Sequence, residues 1–270
     1  MALDASKSFR SLIDEDSDNF LVSKLSALLG QKMSTFETDT TWTENLNDIQ
    51  IDKSWTDLMN QLLSELHELG FTEKQMDAIW AQIPFNEDMI KALHIAKAAN
   101  ADIMIISDAN TIAISRILTH YQINNLFTKI ITNPAQWSDE GKLVVDRLVP
   151  KETPHGCRTM AEGYGRTCCA NMCKGQEITR MIQEKYAKVV YVGDGANDFC
   201  PITRLRANDI ALVRRNRVLS NILETPSSRA QIQANIIFWS EAVDVLSTYQ
   251  GLFQPLSQEP DLAAKLAISY

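Results

Sequence analysis

The chain reads as an α/β protein with a doubly wound, mostly parallel sheet and a helical module near its N-terminus. Two observations predict this. Beyond residue 101, short apolar runs rich in β-branched residues alternate with helical segments: IMIIS (103–107), KIIT (129–132), VVYVGD (189–194) and DIALV (209–213). Continuous apolar runs of that length suit parallel strands, which helices cover on both faces. Between about 20 and 80, by contrast, apolar residues recur at helical spacing.

Taken in order, LVSKLSALL (21–29) has a helical stripe. WTDLMNQLLSELHELG (55–70) repeats it, with Gly70 as a C-terminal stop. Thr72 and Gln75 have the spacing of a capping box opening TEKQMDAIWAQI. Pro84 interrupts the chain, and Asn86 restarts it into EDMIKALHIAKAAN. TIAISRILTHY and GQEITRMIQEKY have the length of crossover helices between parallel strands. Residues 133–167 form a long excursion rich in Gly, Pro and charge, read as a surface or active-site loop. No internal repeat or low-complexity tract is present. The expected organisation is an α/β core at 1–19 and 86–250, a helical cap at 20–85 and a C-terminal tail at 251–270.

Composition narrows the partners. A net charge of −8 on 270 residues repels nucleic acid and anionic lipid, so neither is an expected partner. No run approaches the ~20 apolar residues needed to cross a bilayer, and MALDASKSFR lacks the apolar centre of a signal peptide. Five cysteines, an odd number and partly clustered, do not form a secreted disulfide framework. A reduced, cytoplasmic protein is expected; oligomeric state is not legible.

Ligands of open parallel sheets bind at the carboxyl ends of strands. Here those ends carry Ser107 and Asp108, Asn133, and Asp194. The run VVYV enters GDGAND, where Gly193 and Gly195 allow a tight turn. Asp194 and Asp198 then place two carboxylates where a hard, oxygen-seeking cation such as Mg²⁺ would sit.

A hydrophobic strand ending in Ser107, a later lysine opening a helix (Lys174), and GDGAND resemble the haloacid dehalogenase superfamily. IDEDSDNF, ISDANT, CANMCK and YVGDGANDFCP together resemble its small eukaryotic phosphatases acting on phosphoethanolamine and phosphocholine, with a sister group acting on pyridoxal phosphate. The resemblance runs from about Ser11 to Trp239. It implies a Rossmann-like core with a cap and a Mg²⁺-dependent phosphatase of small phosphorylated metabolites. In that scheme Ser107 and Lys174 bind the phosphoryl group, and Asp194 holds the metal, with Asp198 as a further ligand or a supporting residue. Asp18 and Asp108 would touch the substrate. Fixed hydrogen-bond donors and a cation suit a group that spreads negative charge over its oxygens. Carboxylates suit an ammonium. Asp18 is equally suited to capping the helix that follows DSDN.

The resemblance breaks at the start. The family's first motif is a strand ending in Asp-x-Asp-x-Thr, whose aspartates serve as nucleophile and acid/base. Counting back without gaps puts Lys7 and Phe9 at those positions, and neither does that chemistry. Asp4 is the one upstream acid, and using it would need three extra residues. MALDASKSFRS also lacks an apolar run for the central strand, so that strand is expected to be defective. The expectation is therefore a chain with absent or impaired turnover. The alternatives are a non-catalytic pseudophosphatase that binds phosphoryl ligands, or a truncated or alternatively spliced form.

Cys157, Cys168, Cys169 and Cys173, with His155, match no standard zinc spacing; they are read as a reduced cysteine-containing loop near the site. Residues 158–167 look like an insertion relative to the family. His67, His94 and His120 fall in helical patterns as surface or packing residues. Trp42, Trp55 and Trp80 are read mainly as packing residues of the helical module, with a substrate lid as the other role.

Overall fold

The structure, a computed structural model, describes residues 2–6, 9–38, 55–168, 170–182 and 186–253. Ten strands follow in chain order. They are β1 (Ala2–Ser6), β2 (Ala101–Asn110), β3 (Phe127–Asn133), β4 (Ala135–Trp137), β5 (Leu143–Val145), β6 (Met160–Ala161), β7 (Gly165–Arg166), β8 (Val189–Gly193), β9 (Ile210–Arg214) and β10 (Asn235–Trp239). Six of them form one sheet in the order β10-β9-β8-β1-β2-β3, and every pairing in it is parallel. The chain winds outward from β1 in both directions, so the connections leaving β1, β2 and β8 diverge at the carboxyl edge. A crevice for ligands opens at such a switch point.

All four predicted strands form, and β8 and β9 are buried at every position. The expectation of a defective first strand is corrected. Residues 2–6 occupy the central place, with Leu3 level with Asp102 and Val189, and Ser6 level with Ile105 and Val192. A parallel strand is held by backbone N–H and C=O groups paired on both sides, and five residues make that ladder without a long apolar run. β10 was not foreseen. Its burial is low along most of its length, as an edge position allows.

The helical module comprises Ser17–Leu25, Ala27–Thr38, Trp55–Glu68 and Glu73–Trp80. LVSKLSALL does not form one helix. Ser26 is extended (φ −149°), and its hydroxyl accepts from the Leu29 amide at 3.4 Å, restarting the chain. Helix 55–68 buries Leu58, Met59, Leu62, Leu63 and Leu66, the stripe its spacing requires. Gly70 ends the segment at φ +85°, a left-handed conformation costly for other residues. The Thr72 amide donates to Gln75 Oε1 at 2.9 Å, and Asn86 caps Glu87–Ala98 through the Asp88 amide at 2.9 Å. The excursion at 133–167 contains two small antiparallel hairpins, β4-β5 and β6-β7. No helix among the described residues is long and apolar enough to cross a membrane.

Candidate functional site

The GDGAND loop is organised around Asp198. Its Oδ2 accepts from the amides of Asp194 (2.7 Å) and Gly195 (3.1 Å), and its Oδ1 from the Tyr191 hydroxyl (2.9 Å). Three donors on a fully buried carboxylate make Asp198 a support for the turn that aims Asp194. Burial, and then the negative charge of Asp198, push the Tyr191 hydroxyl well above its usual range, so it stays a donor. A Cβ on Gly193 would lie 2.6 Å from Asp198 Oδ2. Gly193→Ala is therefore expected to displace that carboxylate and cost roughly 1–3 kcal/mol, read as a lower denaturation midpoint in urea.

Around the loop, β2 and the helix Lys174–Ile182 bring in the other predicted residues. Lys174 is 2% exposed; its Nζ lies 3.7 Å from Asp108 Oδ1 and 4.0 Å from Asp198 Oδ1. Asp108 Oδ2 accepts from Asn197 Nδ2 at 3.0 Å. Ser107, buried in the carboxyl half of β2, accepts from the Ala109 amide at 3.2 Å. Ser11 donates to Asp194 Oδ1 at 2.8 Å, a contact that the sequence reading missed. The count placing Lys7 and Phe9 at the aspartate positions puts Ser11 at the threonine of Asp-x-Asp-x-Thr.

A second network, also missed, ties the helical module to the sheet. Asn171 Nδ2 donates to Thr56 Oγ1 (2.8 Å) and to Asn133 Oδ1 (2.6 Å), while Asn133 Nδ2 donates to the Asp108 carbonyl (2.7 Å). Thr56, Asn133 and Asn171 are all buried, and a satisfied buried polar network fixes one geometry. The same helix contributes Trp55, whose Nε1 donates to Asp18 Oδ2 at 2.8 Å.

Asp18 is not the helix cap. Asp16 fills that role, accepting from the amides of Asp18 (3.1 Å) and Asn19 (3.0 Å). The first acceptor in DSDN geometry thus lies two residues earlier, which leaves Asp18 turned toward Trp55. Burial raises Asp18 to about 8, with help from Asp16 and Asp108 and against the Trp55 hydrogen bond. A folded-state value above the unfolded 3.8 means the fold binds the extra proton, so stability declines as pH climbs from about 4 to about 8. Asp18→Asn keeps an acceptor for Trp55 and is expected to flatten that decline, read as melting temperature against pH.

The first strand bears on the chemistry through its register. Asp4 lies level with Ile103 and Val190, each four residues short of Ser107 and Asp194, so its backbone is about 13 Å behind those two residues. Lys7 lies outside the described residues, as do Trp42, Cys169 and the tail from 254. Phe9 opens a short helix, Phe9–Leu12. The described donors suit Mg²⁺ in part: Asp194 offers one carboxylate, and such ions are held by one or two carboxylates with waters and phosphate oxygens. Trp80 is core, whereas His94 and His120 are exposed and His67 is half-buried.

The cysteines differ from the sequence reading. Cys157, Cys168 and Cys173 are joined by Cys200, and all four are buried together. His155 supports the loop instead, with its Nδ1 accepting from the Cys157 amide at 3.0 Å. Cys200 was hidden because it belongs to the motif read for its aspartates.

A parallel sheet in the order β10-β9-β8-β1-β2-β3, with Lys174 between Asp108 and Asp198 beside the Asp194 turn, is an α/β protein of the haloacid dehalogenase fold. A family model described as "Putative Phosphatase" matches residues 9–253, and the chain belongs to that family. It is 30% identical to "Inorganic pyrophosphatase 2" of Arabidopsis thaliana, over 87% of this chain and 78% of that protein. It is 31% identical to a Bos taurus "Pyridoxal phosphate phosphatase", over 74% and 82% respectively. A substrate-bound phosphoserine phosphatase complex shares the fold at a TM-score of 0.54 and 15% identity, covering 92% of this chain and 98% of that one.

Proposed function

We propose that the chain binds a small phosphomonoester together with Mg²⁺ at the carboxyl edge of β2 and β8, without turning it over efficiently. The observation that carries this reading is the buried Lys174 ammonium held between Asp108 and Asp198, the carboxylate that also anchors the Asp194 turn. A desolvated cation is a receptor for a phosphoryl group, and Ser107, seven residues into β2 and next to Asp108, would add a hydrogen bond to it. Asp194 would hold Mg²⁺, which supplies charge neutralisation at the phosphoryl oxygens when bound. The helical module at 20–85 would act as the cap over the α/β core. Lys7 and Phe9, at the positions of the family's aspartates, provide no nucleophile and no acid/base, and Asp4 lies too far back along β1.

For the organic part of the ligand, Asp108 favours a cationic group, and Asp18, held neutral by burial in the free chain, would add a second carboxylate once a bound cation draws off its proton. Phosphocholine, phosphoethanolamine and pyridoxal phosphate carry one, and relatives named for pyridoxal phosphate and pyrophosphate agree with small phosphorylated ligands. A reduced cytoplasmic setting suits these metabolites. The test is calorimetric titration of these compounds with and without Mg²⁺, run beside a phosphate-release assay. Binding with at most trace release is expected. Robust hydrolysis would overturn the loss of turnover, and no binding of any of these ligands would overturn the reading itself. Turnover removed by Asp4→Ala would show that the ungapped count is wrong.

A further inference from the structure

Four thiols drawn from distant parts of the chain meet beside the phosphoryl site. Cys157 lies in the loop before β6, Cys168 follows β7, Cys173 immediately precedes Lys174, and Cys200 sits in the short helix Phe199–Ile202 that follows the GDGAND loop. Their Sγ atoms are 3.5 Å (157–168), 3.6 Å (157–200), 3.7 Å (168–173) and 3.7 Å (173–200) apart. All four lie within 4.8 Å of one another and are buried. A tetrahedron with Zn–S bonds of about 2.3 Å has edges of about 3.8 Å. The thiols therefore already stand close to the corners of such a site.

We propose that Cys157, Cys168, Cys173 and Cys200 form a structural zinc site that staples the 158–167 insertion to the two elements carrying Lys174 and Asp198. Sulfur-only tetrahedral sets select zinc among the common divalent ions. The surroundings suit thiolates, which accept hydrogen bonds well. The Gln176 amide points at Cys173 Sγ (3.4 Å) and the Thr159 hydroxyl at Cys200 Sγ (3.2 Å). Arg204, whose guanidinium donates to Thr159 at 3.2 Å, lies against Cys200 and offsets the charge of a tetrathiolate. Gly175 permits the approach, because a Cβ there would stand 2.5 Å from Cys200 Sγ. Binding expels the remaining thiol protons to solvent, as one Zn²⁺ replaces them.

The alternative is a cluster of four apolar thiols. Thiols alone do pack as small hydrophobes, but that role demands neither a tetrahedral arrangement nor donors aimed at the sulfurs. The placement also gives the site a purpose. Cys157 and Cys168 close the base of the β6-β7 hairpin, which has only two residue pairs of its own. Cys173 and Cys200 fix the residues next to Lys174 and the loop after Asp198.

The test uses the full chain purified under reducing conditions without chelator. Metal analysis is expected to give about one zinc per chain. A mercurial thiol reagent should release that zinc as four thiols titrate, and cobalt exchange should give the visible absorption of a tetrahedral tetrathiolate. Cys168→Ser and Cys200→Ser should lose zinc, while Asp194→Asn keeps it, separating this site from the Mg²⁺ site. Because serine variants can fail to fold, the mercurial titration of the parent chain decides independently. Folded protein that takes up no zinc or cobalt at stoichiometry overturns the proposal. So does a count of one free thiol in the denatured, unreduced chain, which would mean two disulfides.

Discussion

Lys7→Asp with Phe9→Asp is expected to raise phosphate release from small phosphomonoesters by on the order of 10³-fold or more over the parent chain. The double change rebuilds Asp-x-Asp in the frame where Ser11 already meets Asp194 at 2.8 Å. The strand that precedes it is paired on both sides, so the substitution asks for new side chains and no new fold. A nucleophilic carboxylate contributes only if it stands within attacking distance of phosphorus, and a slip of three residues along a strand exceeds that tolerance. Asp4→Ala in the rebuilt background should therefore leave the rate unchanged. Single substitutions separate the roles. Lys7→Asp alone should form a phosphoenzyme that turns over slowly, because Phe9 offers no proton to the leaving oxygen or base for water. Phe9→Asp alone should form none. Trapped phosphoenzyme and steady-state release are the readouts. A rebuilt chain that binds phosphomonoesters yet never forms a phosphoenzyme would sink the alignment of the first motif.

The sheet was legible where burial on both faces imposes a continuous apolar run. β2, β3, β8 and β9 announce themselves in IMIIS, KIIT, VVYV and IALV. β1 did not, because ALDAS draws its place from backbone pairing with β2 and β8, and such pairing leaves little compositional trace. β10 (NIIFW) does carry an apolar run, IIFW, and was passed over; its edge position shows only in the structure, as exposure along most of its length. In the site, Ser107, Lys174 and Asp194 stand at strand or helix ends that pattern reading locates, and Asp108 follows from its neighbour. The supporting contacts were invisible for another reason: they join positions far apart in sequence. Ser11 to Asp194, Asn171 to Thr56 and Trp55 to Asp18 are properties of packing. The four-thiol cluster is the sharpest case, since its partners are 157, 168, 173 and 200, and no local spacing rule links the last to the rest.

Lys174→Met should separate the stability of the site from its affinity. The substitution keeps the buried volume and removes the ammonium between Asp108 and Asp198. Removing one partner from a buried ionic group is costly because the other charges stay behind. Asp198 keeps its three hydrogen bonds and Asp108 keeps Asn197, which tempers the loss. A destabilisation of roughly 2–4 kcal/mol is expected, with a fall in melting temperature on the order of 10 °C. Phosphate affinity should fall further, by on the order of 10²-fold, because a charge-assisted contact to an anion is lost while the two carboxylates repel it. Adding Asp108→Asn to Lys174→Met removes one of those carboxylates. The pair should recover part of the stability, a positive coupling read in a double-mutant cycle. It should recover little phosphate binding, since no cation has returned. If the double variant bound phosphate as the parent does, Lys174 would be holding the fold together at this point and not holding the ligand.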